Sequence, residues 1–241
     1  MENEMDLNFR GIVFTFMLLS PIISIAADTV PLPSSDGLWS TVPQMEIGKV
    51  KRLSKDKLPP DLRAITEKEI KKTKRGYEEV PEEYFDYLNG YYNHLRSEND
   101  ALSNLRVNLV DINLTKLAKY QYEGLIPGGP TIQGPWTSVT RVFRRPDSVL
   151  IKLTEWDFVA DGGAIVIIDE VMNSSVSGIP AFLSVKKSPS GKAITTLEWA
   201  TDKKQYTLTA EDDDKIRGSR QLNDQKWLLS LADSIAASDS N

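Results

Sequence analysis

Glu155 and Asp157 lie two residues apart in a stretch, residues 148–157, that is rich in branched and aromatic side chains. In an extended strand, residues two apart share a face, so both carboxylates project together with Trp156 on the opposite side. A pair of carboxylates is the machinery of glycoside hydrolysis, one giving a proton and the other serving as base or nucleophile. The same pattern also describes a solvated strand end. A cell-wall or polysaccharide hydrolase using Glu155 and Asp157 therefore stands as the alternative reading, not the leading one. Asp169 and Glu170 are adjacent and point to opposite faces. Asp212, Asp213 and Asp214 lack the alternation and the turn glycine of a calcium loop and read as a solvated turn. Gly191-Lys192 has no upstream glycine at phosphate-loop spacing, and no Gly-x-Ser-x-Gly occurs.

Composition removes further chemistry. The chain has no cysteine and a single histidine, His94. Thiol catalysis and cysteine-ligated metal are excluded, and a histidine triad or metal site has only His94 to use. No catalytic residue, metal or cofactor is expected, and the chain reads as a non-enzyme. The formal charge of −5 is mild for 241 residues and gives no reason to expect nucleic acid as a partner.

The elements that must position any site begin after an apolar leader. Residues 11–27 carry no charge, follow Arg10, contain Pro21 and end in Ile25-Ala26-Ala27, a small-residue terminus like a peptidase cleavage site. Residues 1–27 are thus expected to be a signal peptide or an N-terminal anchor, since 17 apolar residues lie at the short limit for spanning about 30 Å of hydrocarbon. An exported chain without disulfides fits a bacterial envelope protein, periplasmic or secreted, or held at the inner membrane by the uncleaved leader.

Residues 28–76 read as a proline-rich, basic linker or arm, holding Pro31, Pro33, Pro43, Pro59 and Pro60. Between Lys49 and Arg75 there are eleven bases against four acids, whereas between Gly76 and Asp100 there are seven acids against one base. The two blocks can pair with each other, or the basic one can meet anionic lipid or cell-wall polymer.

Residues 77–241 are expected to form one α+β domain. A helix is predicted over 81–97, with Pro81 in its first turn and Tyr84, Phe85, Leu88, Tyr91, Tyr92 and Leu95 on one stripe. A weaker helix is predicted over 111–122. Strands are predicted at 136–145, 148–157, 164–172, 181–187, 193–200 and 204–210, separated by hairpin-length turns such as Ser188-Pro189-Ser190-Gly191. A last helix is expected over 224–237, with Asp224 as N-cap and Trp227, Leu228, Leu231, Ala232 and Ile235 on one face. The predicted fold is a curved, largely antiparallel sheet packed against one or two helices. Tyr84, Tyr91, Trp136, Phe143 and Trp156 are the candidate ligand-contacting residues, with an exposed aromatic groove as the expected setting.

Four motifs in the last third follow a familiar order: Ser177-Gly178-Ile179-Pro180-Ala181, Thr196-Leu197-Glu198-Trp199, Gln205-Tyr206-Thr207-Leu208 and the run from Trp227 to Ile235. In that order they resemble the extracytoplasmic C-terminal domain of membrane-anchored anti-sigma factors and, more loosely, the lipoprotein-carrier-like envelope proteins. The resemblance covers about 60 residues. It implies a curved antiparallel sheet cupping helices, sheltering an apolar ligand or meeting another envelope protein, and no catalytic residues. With ten residues ahead of Gly11, regulation by direct sigma binding is not expected. The leading expectation is a non-enzymatic envelope protein that binds a partner protein or a lipid or peptide ligand, with membrane association through its N-terminal segment. A third reading is an accessory subunit of an envelope assembly, docked through residues 28–75.

Overall fold

Short polar turns cut the second half of the chain into strands that fold back on their neighbours. The computed structural model describes residues 22–25, 48–85, 95–128, 134–213 and 221–239. In chain order the elements are β1 (Ile22–Ile25), β2 (Val50–Leu53), α1 (Pro60–Lys74), β3 (Glu78–Glu79), α2 (Glu98–Ala101), β4 (Gln121–Gly128), β5 (Ser138–Arg144), β6 (Leu150–Asp157), β7 (Ala164–Ile168), β8 (Ser174–Val176), β9 (Ile179–Lys187), β10 (Lys192–Ala200), β11 (Lys204–Asp213) and α3 (Gln221–Asp239). The main sheet runs β3-β9-β10-β11-β6-β5-β4, with β8 beside β9, and does not close into a barrel. Its pairings are antiparallel except β3 with β9. The α+β class and the largely antiparallel sheet are as the turn spacing predicts.

Turn chemistry explains the hairpins. Ser177 and Gly178 both have positive φ, 48° and 85°, which suits the two-residue turn between β8 and β9. At the β9–β10 turn, Gly191 sits at φ 95° and donates its N–H to the Ser188 carbonyl at 3.1 Å, the left-handed residue expected after a type I turn.

One face of the sheet packs under α3. Leu228, Leu231, Ala232 and Ile235 are at most 1% exposed and share a core with Ile151, Leu153, Leu197 and Leu208. Trp199 and Tyr206, opposite each other on β10 and β11, stack at 5.0 Å. Burying each such leucine contributes about 1.5–3 kcal/mol relative to leaving it exposed. Helix α3 begins at Gln221, so Asp224 lies inside the helix and not at its cap.

Three expectations are corrected. Residues 111–122 form two short 3-10 turns, Ile112–Leu114 and Lys116–Lys119, and β4 already starts at Gln121. The reason is local: the Asp111 carboxylate caps a first short turn by accepting from the Asn113 N–H, and the Thr115 hydroxyl then takes the Leu117 N–H, a donor a continuing α-helix would use, and caps a second. The linker reading fails from residue 48 onward. Leu53 and Leu58, with Leu62 and Ile70 of α1, pack against Val166, Ile168 and Phe182. Pro59 and Pro60, taken as linker punctuation, start α1, where a proline's missing N–H costs nothing.

The cause is β7, whose five residues are all buried, at most 3% exposed, and which therefore needs covering on every side. β2 pairs with it in parallel, and Ile22–Ile25 of the apolar leader pairs with it antiparallel. Of the helix predicted over 81–97, one turn is described, in which the Phe85 N–H donates to the Glu82 carbonyl and Phe85 packs on Ile194. The rest, with Tyr91 and His94, lies outside the described residues. No helix among the described residues is long and apolar enough to cross a membrane.

Candidate functional site

The carboxylate pair does not form a site. Glu155 is fully buried beneath the sheet, where Arg141 of β5 donates to Oε2 and the Val110 N–H donates to Oε1 at 2.9 Å. Arg141 also donates to the Val110 carbonyl at 2.9 Å, so the two side chains together hold both backbone groups of one loop residue. The Lys204 ammonium lies 4.0 Å from Glu155 and pairs with Asp239 of α3 at 2.5 Å. Burial pushes the Glu155 carboxyl above the usual range, against the pull of Arg141, the Val110 amide and Lys204. Burial, then Asp239, likewise raises the Tyr206 phenol. Asp157, at the strand end, accepts the Ala160 N–H at 2.8 Å and shapes the following turn. The chemistry is that of a clamp tying the segment around Val110 and the end of α3 to the sheet. Among the described residues no group of three acids or histidines gathers to hold a metal.

The aromatic candidates are also mostly interior. Trp136 is 3% exposed, Phe143 1% and Trp156 6%. Trp156 donates its indole N–H to Asp161 at 3.0 Å and touches the β7 core. Tyr84 is half-buried, edge-on to Phe85, with its hydroxyl accepting from Lys186 at 2.9 Å. The alternation that marks these residues marks a packed strand equally well, and here each ring is taken up by core neighbours.

Trp136 and Phe143 lie behind an open feature, each in contact with a residue, Arg96 or Tyr122, that lines it. At the outer edge of β4 a cleft of about 500 Å³ lies between residues 95–99 and residues 122–124. The Arg96 N–H donates to the Leu125 carbonyl at 2.8 Å, and the Leu125 N–H returns a bond at 3.1 Å. Gly124 makes this approach feasible: its φ is 137°, and a Cβ there would stand 3.0 Å from the Arg96 carbonyl. The Arg96 guanidinium lies 5.2 Å from the centre of Trp136, and Tyr122, 38% exposed, leans on Phe143 at 5.4 Å. Glu123 is held by both arms of Arg144. Burial, then Glu98, raises the Tyr122 phenol, so it stays a neutral donor and acceptor at ordinary pH.

This set can hydrogen-bond and stack, and it offers no activated nucleophile. Reading residues 111–122 as a helix hid Tyr122. The signal that could have found it is Gly124 inside an otherwise strand-like Gln121–Gly128, which marks a bulge or a close approach. No family model, curated protein or solved structure matches the chain.

Proposed function

We propose that this chain is a non-enzymatic exported protein of the bacterial envelope that binds an extended segment of a partner protein at the β4 edge. The observation that carries the reading is the two-bond exchange between Arg96 and Leu125 beside an open cleft. β4 ends the sheet order, and its edge already accepts a strand-like residue there. An extended peptide lying in the cleft would gain side-chain contacts from Tyr122, Arg96 and Glu98, and main-chain hydrogen bonds from edge groups other than those of Leu125, which Arg96 already holds.

The rival readings find less support. An enclosed lipid would need the space that Leu228, Leu231 and Ile235 fill. A hydrolase would need Glu155 to meet water, and it is 0% exposed. Docking through a free arm at 28–75 fits poorly with residues 53–70 packed against β7 and β9.

The test is selection of peptides from a displayed library on the full chain, followed by calorimetry of the enriched sequences. Their affinity is expected to fall about tenfold in Tyr122→Ala, with unchanged circular dichroism. Peptides that bind Tyr122→Ala and the parent equally, or a lipid that co-purifies in native mass spectrometry, would overturn the proposal.

A further inference from the structure

Helix α1 turns a basic stripe away from the molecule. Its inner side carries Thr66, 5% exposed, with Leu62 and Ile70 against Phe182 and its neighbours. On the outer side Lys68, Lys71 and Arg75 are exposed and recur at i, i+3 and i+7, so they form one row. Lys74 flanks the row, and Ile65 stands beside it 48% exposed.

The nearby acids are largely engaged elsewhere. Lys72 takes Glu69 at 2.7 Å and Glu78 at 2.8 Å, and Lys55 takes Glu67 at 3.7 Å. Among the described residues, none of Lys68, Lys71, Lys74 and Arg75 has an ion-pair partner. Just past the helix, Tyr77 is 43% exposed, with the Lys187 ammonium 5.5 Å from its ring centre.

We propose that this stripe docks α1 onto an anionic phospholipid surface. Ammonium and guanidinium heads meet lipid phosphates, while Ile65 and the Tyr77 ring enter the headgroup layer. Charge complementarity selects this occupant: Lys68, Lys71 and Arg75, without an ion-pair partner among the described residues, form one exposed row flanked by Lys74 on one side and Ile65 on the other.

The chain has no cysteine, so Ala64→Cys in the full chain gives a single site beside the stripe for an environment-sensitive dye. Asp202→Cys, exposed in the turn between β10 and β11, serves as the control site. On phosphatidylglycerol–phosphatidylcholine vesicles the dye at position 64 is expected to shift to the blue and the dye at 202 to remain unchanged. The shift should vanish in about 1 M salt, where the screening length is roughly 3 Å. Replacing Lys68, Lys71 and Arg75 by Gln should weaken it about 100-fold.

Vesicle binding through the leader alone would leave position 64 silent and sink the proposal. An equal shift on pure phosphatidylcholine, or one indifferent to the triple substitution, would overturn it as well. Tighter capture by soluble long-chain polyphosphate than by vesicles would assign the stripe to an anionic polymer instead. None of these outcomes touches the peptide site at β4, which is read by its own titration.

Discussion

Arg141 on β5 reaches diagonally to Glu155 on β6, whose directly paired neighbour is Val139, and the two bury a charge pair with 4% and 0% side-chain exposure. The pair binds the N–H and the C=O of Val110, 31 and 45 residues upstream of its two members. It therefore fastens a loop to the sheet as well as neutralising itself.

Removing one member should be costly. Glu155→Gln leaves the Arg141 guanidinium uncompensated in the interior, and urea unfolding is expected to show a loss of about 3 kcal/mol. A loss within experimental error would mean that the pair is hydrated in solution.

Replacing both members should not restore stability. Buried ion pairs often yield to apolar residues without loss, but Arg141→Met/Glu155→Leu strands the Val110 N–H and C=O. The double variant is expected to remain about 2 kcal/mol below the parent in the same urea series. Full recovery would show that Val110 finds other partners.

Gly124→Ala places a methyl 3.0 Å from the Arg96 carbonyl on a backbone with φ 137°. Both effects oppose folding, and a loss of more than about 1 kcal/mol is expected. Amide exchange should show Arg96 and Leu125 losing protection first, with β10 and β11 unaffected.

Acid should release the β9–β10 turn. The Ser190 hydroxyl, with further bonds from Ser188 and Lys192, holds the Glu82 carboxyl down at about 2 from an ordinary value of 4.5. A depressed carboxyl stabilises the fold above the ordinary value, and that contribution is lost as pH falls from 4.5 towards about 2. The stability difference between the parent and Glu82→Gln, clear at neutral pH, should shrink to nothing across that window. A constant difference would place the contribution in packing.

Much of the sheet was legible because its information is local. Residues 148–157, 193–200 and 204–210 alternate, and Ser188-Pro189-Ser190-Gly191 carries its own turn geometry, so β6, β10, β11 and the hairpin follow from neighbouring residues alone. The face of α3 was equally plain, since Leu228, Leu231 and Ile235 repeat at helical spacing.

Long-range packing decided the rest. Alternation says that Glu155 and Trp156 face opposite ways but not which side is covered, and α3 with the loop around Val110 put Glu155 inside. The proline-rich stretch before residue 76 became β2 and α1 only because the uninterrupted apolar β7 had to be shielded, a requirement written about 100 residues downstream. The cleft at β4 depends on two segments some 30 residues apart meeting across one glycine. By itself the sequence determined where strands and turns could form and which chemistry was impossible without cysteine and with one histidine. Which carboxylates, rings and bases meet solvent was left to the tertiary structure, because burial is a property of the assembled layers and not of any single element.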